Sequence, residues 1–274
     1  MFPTLHDIAA WLPPIDTHSA FVALGIAAGV CVFLLERKRR NIRDYRLIHV
    51  IAGALLGAAI MARLGTWAQH LDPSQNLNVV EQLARGNASI LSALVGAWLG
   101  VHVAKKLVKY EARTGDLFAP AVAMAMAVGR IACLLTERPG TPTGGSWGIV
   151  LDADAAAYTG APAGVPLHPS FVYEIIFQAA MFAVLWFWVR HKPIAAGETL
   201  TIYIAAYWVF RFGVEFVRGN DVAWMGLTRP QLFLLATFPF LAARIIWLIR
   251  RGSFGARRAE TAPAERSVPD GQHA

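Results

Sequence analysis

Seven ionisable side chains stand where a hydrocarbon environment makes them costly: Arg63, Arg130, Glu137, Glu174, Arg211, Glu215 and Arg218 lie inside or at the ends of long apolar stretches. A charge at the bilayer centre costs several kcal/mol, so one that is retained there marks a functional site by default. The segment Arg211-Phe212-Gly213-Val214-Glu215-Phe216-Val217-Arg218 puts Arg, Glu and Arg at i, i+4 and i+7 of one helical face. Two guanidiniums around one carboxylate leave surplus positive charge, and a buried cation requires a counter-anion. Arg63 and Arg130 come from two further apolar stretches. The planar fork of arginine suits phosphate oxygens, so this set of residues invites a phosphate. The plainer alternative is an ion cluster that only tethers helices.

The elements that would hold these residues are legible from composition. The chain has 274 residues, 56% hydrophobic and 16% charged, with a mean hydropathy of +0.45. Soluble chains average about 25% charge. Seven apolar runs approach the roughly 20 residues that cross a bilayer as a helix: His18–Leu35, Leu47–Gln69, Ala88–Ala104, Leu117–Leu135, Phe171–Val189, Leu200–Val217 and Gln231–Ile249. The expected fold is an all-α integral membrane protein of seven transmembrane helices spanning residues 17–251. Residues 1–16 form an outer interfacial segment, in which Phe2, Leu5, Ile8 and Leu12 recur at near-helical spacing. Residues 252–274, rich in Ala, Arg, Pro and Glu without apolar periodicity, read as a disordered cytoplasmic tail.

Lys and Arg stay in short cytoplasmic loops, and here they alternate. Arg37, Lys38, Arg39, Arg40, Arg43 and Arg46 follow the first span; Lys105, Lys106, Lys109 and Arg113 follow the third; Arg190 and Lys192 follow the fifth; Arg250, Arg251, Arg257 and Arg258 follow the seventh. Arg85 alone lies between spans two and three, and Arg138 alone between four and five. This places the N-terminus outside and the C-terminus in the cytoplasm. The net charge of +7 is then mostly topological, and no nucleic-acid partner is expected. The same orientation puts Arg63, Arg130, Arg211 and Glu174 in the outer half of the membrane, where a phosphate is most simply a phospholipid head group.

Gly25/Gly29, Gly53/Gly57 and Gly96/Gly100 have the small-xxx-small spacing that lets helix backbones approach closely. Cys31 and Cys133 are expected at opposite ends of their spans and unpaired, Cys133 as a packed core residue. His49, His70, His102 and His191 are dispersed among helix ends and loops, so neither a metal-ligand set nor a cofactor is expected. Trp147, in the glycine-rich stretch Thr143–Gly148, reads as an interfacial anchor or a residue gating entry from an outer loop.

Gly129-Arg130-Ile131-Ala132, His168-Pro169-Ser170-Phe171-Val172-Tyr173-Glu174, Arg211-Phe212…Glu215-Phe216…Arg218 and Gly226-Leu227-Thr228…Gln231 occur in that order, with Ala62-Arg63-Leu64-Gly65 upstream. Together they resemble the prolipoprotein diacylglyceryl transferase family over roughly Thr17 to Arg250. The resemblance implies a multi-pass enzyme of the bacterial inner membrane. It would move the diacylglyceryl group of phosphatidylglycerol, or a similar anionic phospholipid, onto the lipobox cysteine of a prolipoprotein carrying its signal peptide. It further implies catalytic roles for Arg130, Arg211, Glu215 and Glu137, substrate binding by Arg63, Arg218, His168, Glu174 and Gly140, and no cofactor or metal.

The chain departs from the family pattern at identifiable positions. The signature Gly-Arg-x-Gly/Ala-Asn-Phe-x-Asn-x-Glu-x-x-Gly has Cys133 at its first Asn and Thr136 at its second, and is one residue short before Glu137 and Gly140. Leu91 stands where a histidine is common, and His18 where a tyrosine is expected. His18 and His168, both at outer span ends, are the candidate bases. A non-catalytic phospholipid-binding paralogue and a related transferase with a different acceptor remain open beside the transferase.

Overall fold

The computed structural model describes residues 1–68 and 78–254, with nothing to be said of the side chains of residues 68 and 85. Ten α-helices make up the described fold: α1 (Leu5–Ile8), α2 (Thr17–Arg39), α3 (Arg46–Ala68), α4 (Val79–Arg85), α5 (Ile90–Leu107), α6 (Gly115–Thr136), α7 (Ala153–Thr159), α8 (Ser170–Ala183), α9 (Thr199–Val214) and α10 (Arg229–Arg250). A short ribbon, β1 (Val222–Trp224) and β2 (Leu227–Thr228), stands between α9 and α10. Among the described residues seven helical spans are long and apolar enough to cross a membrane, α8 counted with the π and 3₁₀ turns that continue it to His191 and α9 with the 3₁₀ turn that ends at Val217. They correspond to the seven apolar runs. The end of the second run, Gln69, and the tail from 255 onward lie outside the described residues.

Two close helix pairs carry the packing, α3 with α5 and α2 with α6. In the first pair, a Cβ at Gly57 would overlap the carbonyl oxygen of Gly96, and one at Gly96 would overlap that of Gly57. In the second, a Cβ on Gly25 would lie 2.7 Å from the carbonyl oxygen of Ala125 and 2.9 Å from the amide nitrogen of Gly129. The small-xxx-small spacings are thus the contact seams of these pairs. Apolar side chains gain little by leaving lipid for one another, so backbone-to-backbone approach supplies the attraction.

Ion pairs close one end of the bundle. Glu36 accepts from Arg39 at 2.5 Å and Arg40 at 2.7 Å, Arg40 reaches Asp116 at 3.4 Å, and Glu198 accepts from Arg113 and Arg244, each at 2.5–2.6 Å. The C-terminus of α2, the N-termini of α6 and α9 and the C-terminal half of α10 meet here. The opposite ends of the same helices hold the candidate site.

Three details differ from the sequence expectation. The N-terminal helix shrinks to the single turn Leu5–Ile8. Pro3, Pro13 and Pro14 flank it, and proline withholds an N–H and disfavours helix in the residue before it. The sixth span stops being α-helical at Val214 and tightens into a 3₁₀ turn over Glu215–Val217. The β1–β2 ribbon departs from a purely helical fold; its turn residues Met225 and Gly226 have φ of 48° and 76°. Two successive positive φ values are the geometry of a tight hairpin turn. The long 138–170 connection is also ordered: α7 packs Ala155 and Ala156 against Leu151, Ala161 and Leu167 in a small apolar cluster of its own.

Candidate active site

Glu174, in the first turns of α8 and without solvent exposure, is the hub of the site. Its carboxylate lies 2.5 Å from Arg130 Nε, 3.1 Å from Arg218 Nη1 and 3.6 Å from Arg211 Nε. Three guanidiniums from α6, α9 and the segment after α9 therefore converge on one oxygen pair. Arg211 also pairs with Glu215 one turn on. Glu215 is itself held by Asn220, which donates through its side-chain amide, and by the Thr228 hydroxyl at 2.9 Å. The 3₁₀ turn brings Glu215 to these partners, and the ribbon returns the chain so that Thr228 can both touch Glu215 and cap α10. That cap is reciprocal: Thr228 N–H donates to Gln231 Oε1 at 3.0 Å while Thr228 Oγ1 accepts from Gln231 N–H.

The charge balance is uneven. Arg130, Arg211 and Arg218 face two fully buried carboxylates, Glu174 and Glu215. Glu137, whose side chain is 42% exposed, stands 3.9 Å from Arg218 at the rim. Buried nitrogens on Arg63 (Nη1), Arg130 (Nη2) and Arg211 (Nε) have no hydrogen bond of good geometry among the described residues, and the buried Tyr207 hydroxyl stands beside Arg130. Buried donors are ordinarily satisfied. Unfilled guanidinium donors beside a net positive charge fit an anionic ligand such as a phosphate.

The rim has a second character. Cys133 and Glu137 are one turn apart at the C-terminal end of α6, and His18 enters from the N-terminus of α2. His18 Nε2 lies 3.4 Å from Glu137 Oε1 and 4.0 Å from Cys133 Sγ, and Arg130 Nη1 donates to that sulfur at 3.5 Å. Burial opposes the charge on Glu137, but hydrogen bonds from His18 and Cys133 and the nearby Arg218 and Arg130 outweigh it and hold the carboxyl at about 2.

His168 and Gly140 line the loop side. Gly140 N–H donates to His168 O at 2.8 Å, and a Cβ on Gly140 would meet His168 and the Val217 carbonyl. The His168 ring bonds the Tyr173 hydroxyl at 3.1 Å and meets the Trp147 ring edge-on at 5.1 Å. Arg63 joins none of these groups by an ion pair or hydrogen bond; its backbone carbonyl accepts from the Gln82 side chain of α4 at 2.8 Å.

The sequence that builds this site has counterparts among known proteins. A model of the family described as prolipoprotein diacylglyceryl transferase matches residues 7–249. The chain belongs to that family. Among its relatives, phosphatidylglycerol–prolipoprotein diacylglyceryl transferase 2 of Clostridium perfringens is 31% identical over 229 residues, 80% of this chain and 85% of that protein. The Azotobacter vinelandii phosphatidylglycerol–prolipoprotein diacylglyceryl transferase is 28% identical over 270 residues, covering 91% and 97% of the two chains. The Bordetella bronchiseptica transferase of the same name is 30% identical over 240 residues, covering 80% and 85%.

In this member of the prolipoprotein diacylglyceryl transferase family, the positions that depart from the expected pattern have definite places. Leu91 is buried in an apolar core with Met126 and Tyr207, so nothing polar replaces a histidine there. His18 and Cys133, 115 residues apart, meet at the rim. With Glu137 they form a cluster that the dispersed histidines did not suggest: His18, Cys133 and Glu137 offer three potential donor atoms within 4.8 Å of one another. Cys133 is buried, as expected of a packed residue, but its polar neighbours come from a distant part of the chain and could not be read from spacing. Asn220 and Tyr207 also escaped the sequence reading. The first sits in a polar link and the second at a helical position like any packed aromatic.

Proposed function

We propose that this chain is an inner-membrane phosphatidylglycerol–prolipoprotein diacylglyceryl transferase with its N-terminus outside and its C-terminus in the cytoplasm. The donor is phosphatidylglycerol or a similar anionic phospholipid, and the acceptor is the lipobox cysteine of a prolipoprotein. The observation that carries this reading is the buried arginine group around Glu174, with unfilled guanidinium donors, in a chain of this family.

In the reaction the acceptor sulfur attacks the glyceryl carbon bonded to the head-group phosphate. A C–S bond forms, the C–O bond breaks, its electron pair leaves with glycerol phosphate, and the thiol proton passes to a base. Negative charge grows on the departing phosphate, and preorganised donors in a dry site are worth most where charge develops. Arg130 and Arg211 fill that role. Glu215 fixes Arg211, Glu174 spaces the three guanidiniums, and Arg218 and Arg63 hold the lipid phosphate. Gly140 and His168 shape the loop wall. Of the two candidate bases, His18 is favoured over His168, whose ring is engaged by Tyr173 and Trp147.

The test is mass spectrometry of a lipobox peptide incubated with purified protein and phosphatidylglycerol. The peptide should gain one diacylglyceryl group with release of an equal amount of glycerol phosphate. The buried apolar Leu91 favours a second reading, a lipid-binding paralogue without transfer or a transferase with another acceptor. Binding of phosphatidylglycerol with no modification of the peptide would establish that alternative.

A further inference from the structure

His18, Cys133 and Glu137 form a donor set of the kind that holds a transition metal. Catalytic zinc sites use three protein ligands from His, carboxylate and Cys and keep a fourth position open. Bond lengths of about 2.0–2.3 Å in a tetrahedron place ligand atoms roughly 3.3–3.6 Å apart. Here Nε2 and Oε1 are 3.4 Å apart, Nε2 and Sγ 4.0 Å, and all three atoms lie within 4.8 Å. The nitrogen–oxygen pair already has that spacing, and the sulfur would have to move inward to complete it.

The scaffold suits such a site. Cys133 lies in the last turn of α6 and Glu137 caps that turn, its backbone N–H donating to the Cys133 carbonyl at 2.8 Å, which fixes the two residues side by side. His18 comes from α2, and α2 and α6 are locked by the Gly25 and Gly29 seam described above, in which a Cβ at Gly29 would lie 2.9 Å from the Ala121 carbonyl oxygen. Charge also balances. A thiolate and a carboxylate neutralise a divalent ion, so a metal here adds nothing to the positive field of Arg130, which donates to Cys133 at 3.5 Å, or of Arg218, 3.9 Å from Glu137. Cys133 is buried, while the His18 and Glu137 side chains are 44% and 42% exposed, leaving one face of the triad accessible.

We propose that His18, Cys133 and Glu137 bind one zinc ion whose open fourth position takes the acceptor thiol as a thiolate. This deepens the transferase reading and rests on it for the identity of the thiol. A thiol coordinated to zinc is deprotonated outright, and the thiolate is the nucleophile. The proton leaves to water at the accessible face, the coordinated sulfur forms the C–S bond, the C–O bond breaks with its electrons going to the phosphate held by the arginines, and the neutral thioether product is released from the metal. With zinc bound His18 is a ligand, and the proton-accepting role given to it above passes to water at the accessible face.

The experiment uses the full chain purified in detergent, equilibrated with Zn²⁺, freed of loose metal and analysed by elemental mass spectrometry. Wild type should retain about one zinc per chain, and Cys133→Ser and His18→Ala should retain roughly tenfold less or lower. Cobalt in place of zinc should show a thiolate-to-cobalt absorption that is absent in Cys133→Ser and that changes on adding a lipobox peptide but not its Cys→Ser counterpart. Should the variants not fold, the wild-type cobalt spectrum and its response to the peptide decide alone. Wild type retaining no more zinc than a folded Cys133→Ser variant overturns the site. Full-rate transfer by metal-free protein overturns it too and leaves the transferase reading intact. Zinc retained in the triad with no peptide modified removes the transferase reading and leaves the metal site supported.

Discussion

At the scale of residues, one carboxylate sets the geometry of three guanidiniums. Glu174 is buried, and its removal leaves Arg130, Arg211 and Arg218 sharing a low-dielectric pocket. Breaking a buried ion pair on one side costs about 3–5 kcal/mol. Glu174→Gln should therefore lower thermal stability sharply in a fluorescence melt, and Glu174→Asp less so. Asn220 and Thr228 act differently, since each gives Glu215 one hydrogen bond. Asn220→Ala and Thr228→Val should each cost about 1–3 kcal/mol through an unsatisfied charged partner, read as transfer rates lowered by roughly 5- to 150-fold with the fold retained. Much of this was legible beforehand: arginines and glutamates in apolar stretches stand out, and Arg211, Glu215 and Arg218 share a face by spacing alone. The hub role of Glu174 was not, because it depends on which ends of α6, α8 and α9 meet.

At the scale of elements, glycine spacing determines how closely helices approach. Gly57 and Gly96 sit with each backbone against the other, whereas Gly213 in α9 faces open space. Gly57→Leu should separate α3 from α5 and abolish monodisperse protein in size-exclusion chromatography. Gly213→Ala should be tolerated, or stabilise by about 0.5–1 kcal/mol, since alanine removes glycine's backbone entropy within a helix. The seven long helices could be read from hydropathy because a bilayer demands long apolar runs. The 3₁₀ turn at Glu215 and the ribbon at Val222–Thr228 could not, since both answer to the partners of Glu215 and not to local propensity. The shortened α1 shows the converse, local proline chemistry overriding an apolar period.

At the scale of the whole molecule, the charges divide into two sets. Ion pairs among Glu36, Arg39, Arg40, Asp116, Arg113, Glu198 and Arg244 close one end, and the arginine group occupies the other. With the positive-inside rule, a single cysteine at Thr143 in a variant lacking both Cys31 and Cys133 should react with an impermeant maleimide from outside intact spheroplasts, and one at Lys192 only after lysis. The reverse pattern would invert the molecule and its substrate side. The central claim is that the buried guanidiniums drive transfer, and the most direct measurement is the initial rate of diacylglyceryl transfer from phosphatidylglycerol to a lipobox peptide by wild type and Arg211→Ala at matched folded concentration. Loss of a preorganised donor at the developing charge costs about 100- to 1,000-fold, so the variant should fall at least that far while eluting as a single species. A folded Arg211→Ala protein that transfers at the wild-type rate would contradict the account.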